Sequence, residues 1–406
     1  MPRDDNFLGV AGAATCAAGF VAMIILYAAS LAGAEAVTVD LSRGLSKADV
    51  HLAAHAWNGS RRRGAGGAVK LGLAFDGVVL SYVVTSAVEV EGWGTVVIGE
   101  TEDGNGRVFA AASATTGITH LTIHDQSRAQ KIFARDGVTA SVRMQNVGAL
   151  PDEEEPVAGM QAVRRRSTTC DPGEYTDRAT GRTVVRVGVL HTPEVLTLRY
   201  YGGSSEAVRA EVAVAVAVAN AEAFPKSGID LKIELCANDP IDASLERSSP
   251  RSTLDAFAAS SAVEAVRAAN KCDTMVLFAT LDALGNRACG IGFLPGEYAV
   301  VAADCFVDNY SFLHELGHNL GACHGPPSRM CLGGANAYGD SSHHFRTILA
   351  YRSICGEGSS SNCTRVPRYS SSDTSLGWHG HAIGDDRSNN AATLNANKEV
   401  AARKTC

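Results

Sequence analysis

Apolar and polar positions alternate through VVLSYVVTSAVEV (78–90), GTVVIGETE (94–102), GRVFAAAS (106–113), ITHLTIH (118–124) and VTASVRM (138–144). Gly, Asn and Asp punctuate these runs, so the spacing predicts an antiparallel β module within residues 35–149. From Thr183 onward the texture changes. VVRVGVL, DLKIELC (230–236), DTMVLFAT (273–280) and YAVVAADC (298–305) are apolar runs of strand length. Between them lie SSEAVRAEVAVAVAVANAEAF (204–224) and TLDAFAASSAVEAVRAAN (253–270), whose length and alanine content predict helices. The first alternates Val and Ala, so its period alone does not settle the assignment. Strands alternating with helices imply an α/β unit with a mixed, mostly parallel twisted sheet.

Cysteine positions sharpen the boundary between the two textures. Apart from Cys16, all of the 11 cysteines follow residue 169: Cys170, Cys236, Cys272, Cys289, Cys305, Cys323, Cys331, Cys355, Cys363 and Cys406. Ten cysteines in one part of the chain imply up to five disulfides and an oxidising compartment. The N-terminus agrees. Residues 7–34 carry no charge and end in Ala32-Gly33-Ala34, the pattern of a cleaved signal peptide. The run is long enough to serve instead as an uncleaved anchor, which would place the protein at a membrane. Asn58, Asn309 and Asn362 head glycosylation tripeptides. Between the textures, LPDEEEPVAGMQAVRRRSTTC reads as an exposed linker, with Arg164–Arg166 a site for a processing protease. The division expected is 1–34 signal peptide or anchor, 35–166 β-rich propeptide with its linker, and 167–406 catalytic domain.

The composition, 46% hydrophobic and 19% charged, is that of a folded chain, and a net charge of −7 without a long basic block excludes a nucleic-acid partner. The distinctive chemistry lies in HELGHNLGACH (314–324). On a helix, His314 and His318 are i and i+4, and both imidazoles face the same side one turn apart. One Zn²⁺ accepts two nitrogens at that separation, and Gly321 lets the chain turn back to bring His324 as a third ligand. Glu315 stands beside the first ligand as a general base for the attacking water. With this composition the whole pattern arises by chance in roughly one sequence in twenty thousand.

HELGHNLGACH resembles the H-E-x-x-H-x-x-G-x-x-H signature of the metzincin metalloendopeptidases. CGIGFLPGEYAVVAADC before it, with FRTILAY and CTRVPRYSSSDTSLG after it, is similar to the reprolysin (adamalysin-like) branch. The resemblance is carried by about 289–406, extends over 183–288 and loosens before that. It implies a propeptide, a zinc-dependent catalytic domain and protein or peptide substrates, with His314, His318 and His324 as zinc ligands and Glu315 as base. It also implies that Tyr351 hydrogen-bonds the tetrahedral intermediate. Two positions depart from the family pattern. Leu349 stands where a methionine packs beneath the zinc, a swap that costs under about 1.5 kcal/mol. Gly325 follows the third histidine where the branch often has an acidic residue.

The linker and propeptide (35–169) lack cysteine, so a thiolate cannot silence the site. Asp152 and Glu153–Glu155, or plain steric cover, must supply any latency. The pairs His343-His344 and His379/His381 read as loop histidines, and His120 and His124 as surface residues. Asp385-Asp386 with Asn389-Asn390 reads as a polar turn, with a structural Ca²⁺ as the alternative. The function expected is a secreted zinc metalloendopeptidase made as a proenzyme. The alternative is a catalytically silent, zinc-stabilised binding module, and Leu349 is the feature that favours it.

Overall fold

The computed structural model describes residues 36–404 apart from 41–45, 63–68, 76–77, 105, 126–127, 136–137, 147–149, 159–171, 199–200, 326–335 and 357–362. The apolar leader, Arg164–Arg166, Asn362, Cys170, Cys331 and Cys406 therefore lie outside the described residues. No described helix is long and apolar enough to cross a membrane.

The alternating runs form one eight-stranded sheet whose spatial order is the chain order. Its strands are β1 (Ala36–Asp40), β2 (Lys70–Phe75), β3 (Val78–Val90), β4 (Gly94–Glu100), β5 (Gly106–Ser113), β6 (Ile118–Asp125), β7 (Arg128–Arg135) and β8 (Val138–Asn146). All neighbours are antiparallel except β1 and β2, which run parallel and are joined through helix α1 (Lys47–Arg62). That helix and the parallel pair depart from the purely antiparallel module expected.

Both faces of this sheet are covered, which explains the near-continuous apolar stretches of β4 and β5. Val97, Val108 and Ala110 pack with Val50, Ala53 and Ala54 of α1. Val96, Ile98, Phe109 and Ala111 point the other way, into a core shared with the C-terminal unit. His120 is consequently a core residue, correcting the surface reading, which presumed a sheet with one wet face. It is buried against Phe133, 4.4 Å between ring centroids, and hydrogen-bonds Thr122. His124 is also drawn inward, its Nε2 3.1 Å from Asp308.

The second unit contains β9 (Val157–Ala158), β10 (Thr183–His191), α2 (Pro193–Thr197), α3 (Ser205–Val218), β11 (Leu231–Pro240), α4 (Pro250–Ala259) and α5 (Ser261–Ala269). It continues through β12 (Thr274–Ala279), β13 (Gly290–Leu294), β14 (Tyr298–Ala302) and α6 (Ser311–Asn319), and later α7 (Asn390–Ala402). The sheet order is β11-β10-β12-β14-β13-β9. β11, β10, β12 and β14 are mutually parallel and β13 is antiparallel, the mixed, mostly parallel sheet predicted. The stretch 253–270 is two helices rather than one, because Ser260 adopts extended backbone and caps α5 through the Val263 amide.

Helix α3 explains the Val/Ala ambiguity. From Val208 to Val218 only Arg209 is not buried, because one side packs on β11 and the other on β3–β6. A helix apolar all round is one with no solvent face. The exception to its apolar character is Glu211, fully buried, which accepts from Tyr201 Oη at 2.6 Å and pairs with Lys131 of β7. Lys131 also reaches Asp308, 3.1 Å away, just before α6. Burial alone would raise the Asp308 carboxyl, but Lys131 and His124 bring it down to about 2.

Cys236–Cys272, Cys289–Cys305 and Cys355–Cys363 are disulfides, and Cys323 is also disulfide-bonded. Of the glycosylation tripeptides, the one at Asn309 is closed to a glycan, since its side chain is buried.

Burial lowers the His120 imidazole from 6.5 to about 3, so between those values the unfolded chain holds a proton that the folded chain does not. Stability from this residue is lost as pH falls through that window, by about 1.4 kcal/mol per unit. His120→Gln should flatten the pH dependence of the urea midpoint across the window by that slope. An unchanged slope would show that the imidazole is hydrated in solution.

Candidate metal centre

Helix α6 starts without a side-chain cap. Tyr310, with φ of 53°, is its N-cap residue, and the His314 amide donates to the Tyr310 carbonyl at 3.0 Å. The polar residues around its start are engaged elsewhere: Asp308 with Lys131, and Asn309 and Ser311 with Glu153. At the other end the chain stops in a Schellman motif. The Ala322 amide donates to the Gly317 carbonyl at 2.9 Å and the Gly321 amide to that of His318 at 2.8 Å. Gly321 has φ of 93°, and a Cβ there would meet Asn397 Nδ2 at 2.6 Å. This reversal returns His324 to the helix face that carries His314 and His318.

The three imidazoles converge. Their ligating nitrogens lie within 4.8 Å of one another, all three side chains are buried, and Nε2 of His318 is 3.1 Å from Nε2 of His314. Each Nδ1 donates to a carbonyl: His314 to Ile348 at 2.8 Å, His318 to Ala322 at 2.8 Å and His324 to Leu349 at 2.7 Å. Those bonds fix the tautomer with the Nε2 lone pairs facing each other, as metal-ligating histidines require. Burial holds all three rings below the usual imidazole range, in the neutral form that binds metal. Three neutral nitrogens at this spacing suit zinc. Among the described residues no other group of three or more His, Cys, Asp or Glu side chains is placed to hold a metal.

Glu315 is fully buried against β13. A Cβ at Gly290 would lie 2.5 Å from its Oε1 and one at Gly292 2.9 Å from its Oε2, so these two glycines make room for the carboxylate. Sequence reasoning passed over them, although the repeat G-x-G in an edge strand was the available signal. Neither Glu315 oxygen has a hydrogen-bond partner in the protein. Burial, reinforced by Glu153, pushes its carboxyl well above the usual range. A buried carboxylate aimed at nothing of its own fold, one residue from a ligand, matches a reacting water or metal rather than a structural role.

Leu349 packs beneath the helix, where a Cβ on Gly317 would be 3.1 Å from its Cδ1. The turn's backbone, through the Ile348 and Leu349 carbonyls, orients two of the histidines. Replacing methionine there leaves that function intact. Tyr351 stacks on His324 with ring centroids 3.9 Å apart, and its hydroxyl is 2.7 Å from His324 Nε2. Burial and the nearby Glu155 and Glu153 raise its phenol, which stays protonated and able to donate.

The remaining candidates serve the chain itself. Asp385 accepts from the Arg387 and Ser388 amides, both at 2.8 Å, Asn389 caps α7, and buried Asn390 holds the Cys323 backbone. That is the polar turn. His343 does have a carboxylate after all, Asp340 at 2.8 Å, and stacks on His381, with centroids 3.5 Å apart. Sequence reasoning also missed Arg346 and Arg365, whose charges were hidden among apolar neighbours.

Gly321→Ala should destabilise the chain by more than about 1 kcal/mol, because alanine is strained at positive φ, and should lower its metal content. Leu349→Met should keep metal content and shift stability by less than about 1.5 kcal/mol. Chemical denaturation paired with elemental analysis checks both. Loss of metal in the leucine variant would show that the side chain, not the turn's carbonyls, sets the ligands.

Residues 181–373 match the Reprolysin-like model of metallopeptidase family M12B, a family that uses zinc. No curated protein matches the chain. Among solved structures, metalloproteinase-II from Bacteroides fragilis is 10% identical with a TM-score of 0.45, covering 90% of this chain and 98% of its own. A chain of a chaperone–substrate complex is 11% identical with a TM-score of 0.44, covering 84% of this chain. The present chain spans only 41% of that one. Both are slight likenesses. The family match falls on the segment that gathers three imidazoles around an unpartnered carboxylate, and the chain is accordingly an enzyme, a metalloendopeptidase of the zinc-using kind.

Proposed function

We propose that the protein is an exported zinc metalloendopeptidase of the reprolysin branch, made as a proenzyme and activated by cutting at Arg164–Arg166. The observation that carries this reading is the buried triad His314, His318 and His324, with each Nδ1 fixed by a carbonyl and Glu315 unpartnered beside it. The charge-free leader and the disulfides support export. Cleavage of the leader or its retention as an anchor is decided by the N-terminus of the exported protein.

The three histidines would hold the ion, which when bound supplies Lewis-acid polarisation of the scissile carbonyl. Glu315 takes the proton of the attacking water and returns it to the leaving nitrogen, a task for a carboxyl that burial holds above the usual carboxylate range. Tyr351, protonated and directed at the cluster, donates to the developing oxyanion. The burial around Glu315 excludes bulk water, which strengthens both interactions.

Latency follows from the segment before the cut. Residues 152–158 lie along β13, which would be the edge of the second unit's sheet without them. The Cys289 amide donates to the Asp152 carbonyl at 3.0 Å, the Glu154 amide to that of Gly290 at 2.9 Å, and β9 pairs in parallel with Phe293 and Leu294. An exposed strand edge is where an extended peptide adds itself, so the segment covers the place a substrate backbone would take. Glu155 places its carboxylate beside Tyr351 and His324, whereas Glu153 turns away toward Arg365. Leu349, the feature that favoured a silent binding module, no longer argues for one.

Wild type and Glu315→Gln should each bind one zinc per chain after processing, and only the wild type should hydrolyse a mixed protein substrate. Tyr351→Phe should retain zinc and lose roughly 10²–10³ in kcat, the usual scale for one oxyanion donor. Zinc-loaded wild type that cleaves nothing under any processing condition would refute the peptidase reading.

A further inference from the structure

The linker carries two carboxylates into a pocket built by the catalytic unit. Glu153 has no exposed side-chain surface. Its oxygens take both terminal nitrogens of Arg365, at 2.5 and 2.7 Å, and accept from Ser311 Oγ at 2.6 Å and Asn309 Nδ2 at 3.2 Å. Oε2 lies 3.6 Å from Nδ1 of His314, so the pocket adjoins the first metal-ligating histidine. Asp152 sits 3.1 Å from Arg346 Nη1 and 3.8 Å from Arg365 Nη2, and accepts from the Arg352 amide at 3.1 Å.

The arginines belong to the rigid part of the molecule. The side chains of Arg346 and Arg365 are 2% and 3% exposed. Both are fixed by main chain: Arg346 donates to the Ala350 carbonyl, and Arg365 to those of Asn309 at 2.8 Å and Ala350 at 3.2 Å. They lie on two strands of a small sheet, Phe345–Arg346 and Thr364–Arg365, next to the turn that orients the histidines. Among the described residues, Asp152 and Glu153 are the only carboxylates within ion-pair distance of either guanidinium. Both precede Arg164–Arg166, so processing there assigns them to the part that leaves. What stays is two buried guanidiniums without a counter-charge among the described residues, a strongly unfavourable state that a carboxylate from elsewhere relieves.

We propose that this arginine pocket is a substrate subsite of the processed enzyme, and that Arg365 selects protein segments bearing a glutamate or aspartate beside the scissile bond. The proposal rests on the proenzyme reading above. Arg365 is the specificity-determining residue, because its planar fork meets both oxygens of one carboxylate at once, which an amide isostere cannot reproduce. Arg346 and Arg352 extend the same preference to a second acidic residue. The linker sequence Asp152-Glu153 is then an internal mimic of the preferred substrate, laid on the same strand edge.

The test uses the full chain with residues 150–158 replaced by a Gly/Ser linker of equal length, which clears the pocket and leaves both sheets in place. If that chain does not fold by circular dichroism, the full chain carrying Asp152→Asn and Glu153→Gln takes its place. Labelled peptides LPDEEEPVA and LPDQEEPVA, differing only at the position of Glu153, are titrated by fluorescence anisotropy. The glutamate peptide should bind at least tenfold more tightly, and Arg365→Lys, which keeps the charge but loses the fork, should erase most of that preference. Equal affinities, or a preference that survives Arg365→Lys, overturn the pocket. Cleavage is read separately, by mapping the bonds that the processed wild type cuts in a protein mixture. Cuts with no enrichment of acidic neighbours overturn the acidic subsite and leave the peptidase intact. Peptide discrimination without any cleavage upholds the pocket and counts against the peptidase.

Discussion

Helix α3 has no side for water. Eleven of the twelve residues from Ala207 to Val218 are buried, and the helix packs between β11 on one side and β3–β6 on the other. A helix of this kind cannot be stable on one sheet alone, because half of its apolar surface would stay exposed. The two sheets are therefore tied through it into one core. The position of α6, and with it the histidine cluster, depends on that core through Phe312, Leu313 and Leu316. The buried contact of Lys131 with Glu211 and Asp308 fixes the register of the two parts, since a mismatch would leave an unpaired charge inside.

The sequence was most informative where period and chemistry agreed. HELGHNLGACH specified two histidines on one helical face, and Gly321 at positive φ specified the return of the third. The apolar strands of the second unit were legible because parallel, doubly covered strands lack polar positions. Legibility failed where burial depended on partners distant in the chain. His120 and His124 read as surface residues because nothing local reveals that α3 covers their side of the sheet. Helix α1 escaped notice since only Val50, Ala53 and Ala54 of its apolar residues are fully buried, with Leu52, Ala56 and Trp57 half-buried among histidines. Asp308, Asn309 and Ser311 stand where a helix cap would, but their partners lie more than a hundred residues away.

Charge is arranged around the metal centre in a consistent way. The three imidazoles that could hold an ion are kept neutral by burial, Glu315 is surrounded by glycine rather than by donors, and positive charge is concentrated on Arg346 and Arg365, behind the histidines. The linker complements each of these features, with backbone for the strand edge and carboxylates for the guanidiniums. The same short segment thus satisfies hydrogen bonds and charges that the catalytic unit leaves open.

The shared core also bears on what the proposed cut at Arg164–Arg166 would do to the energy landscape. A nick in the linker leaves α3 clamped between both sheets, so the pieces stay together until the first sheet is stripped away or degraded. Were that sheet removed, the apolar side that α3 turns to β3–β6 would lose its cover. What remained would then persist through a slow unfolding rate rather than an equilibrium advantage.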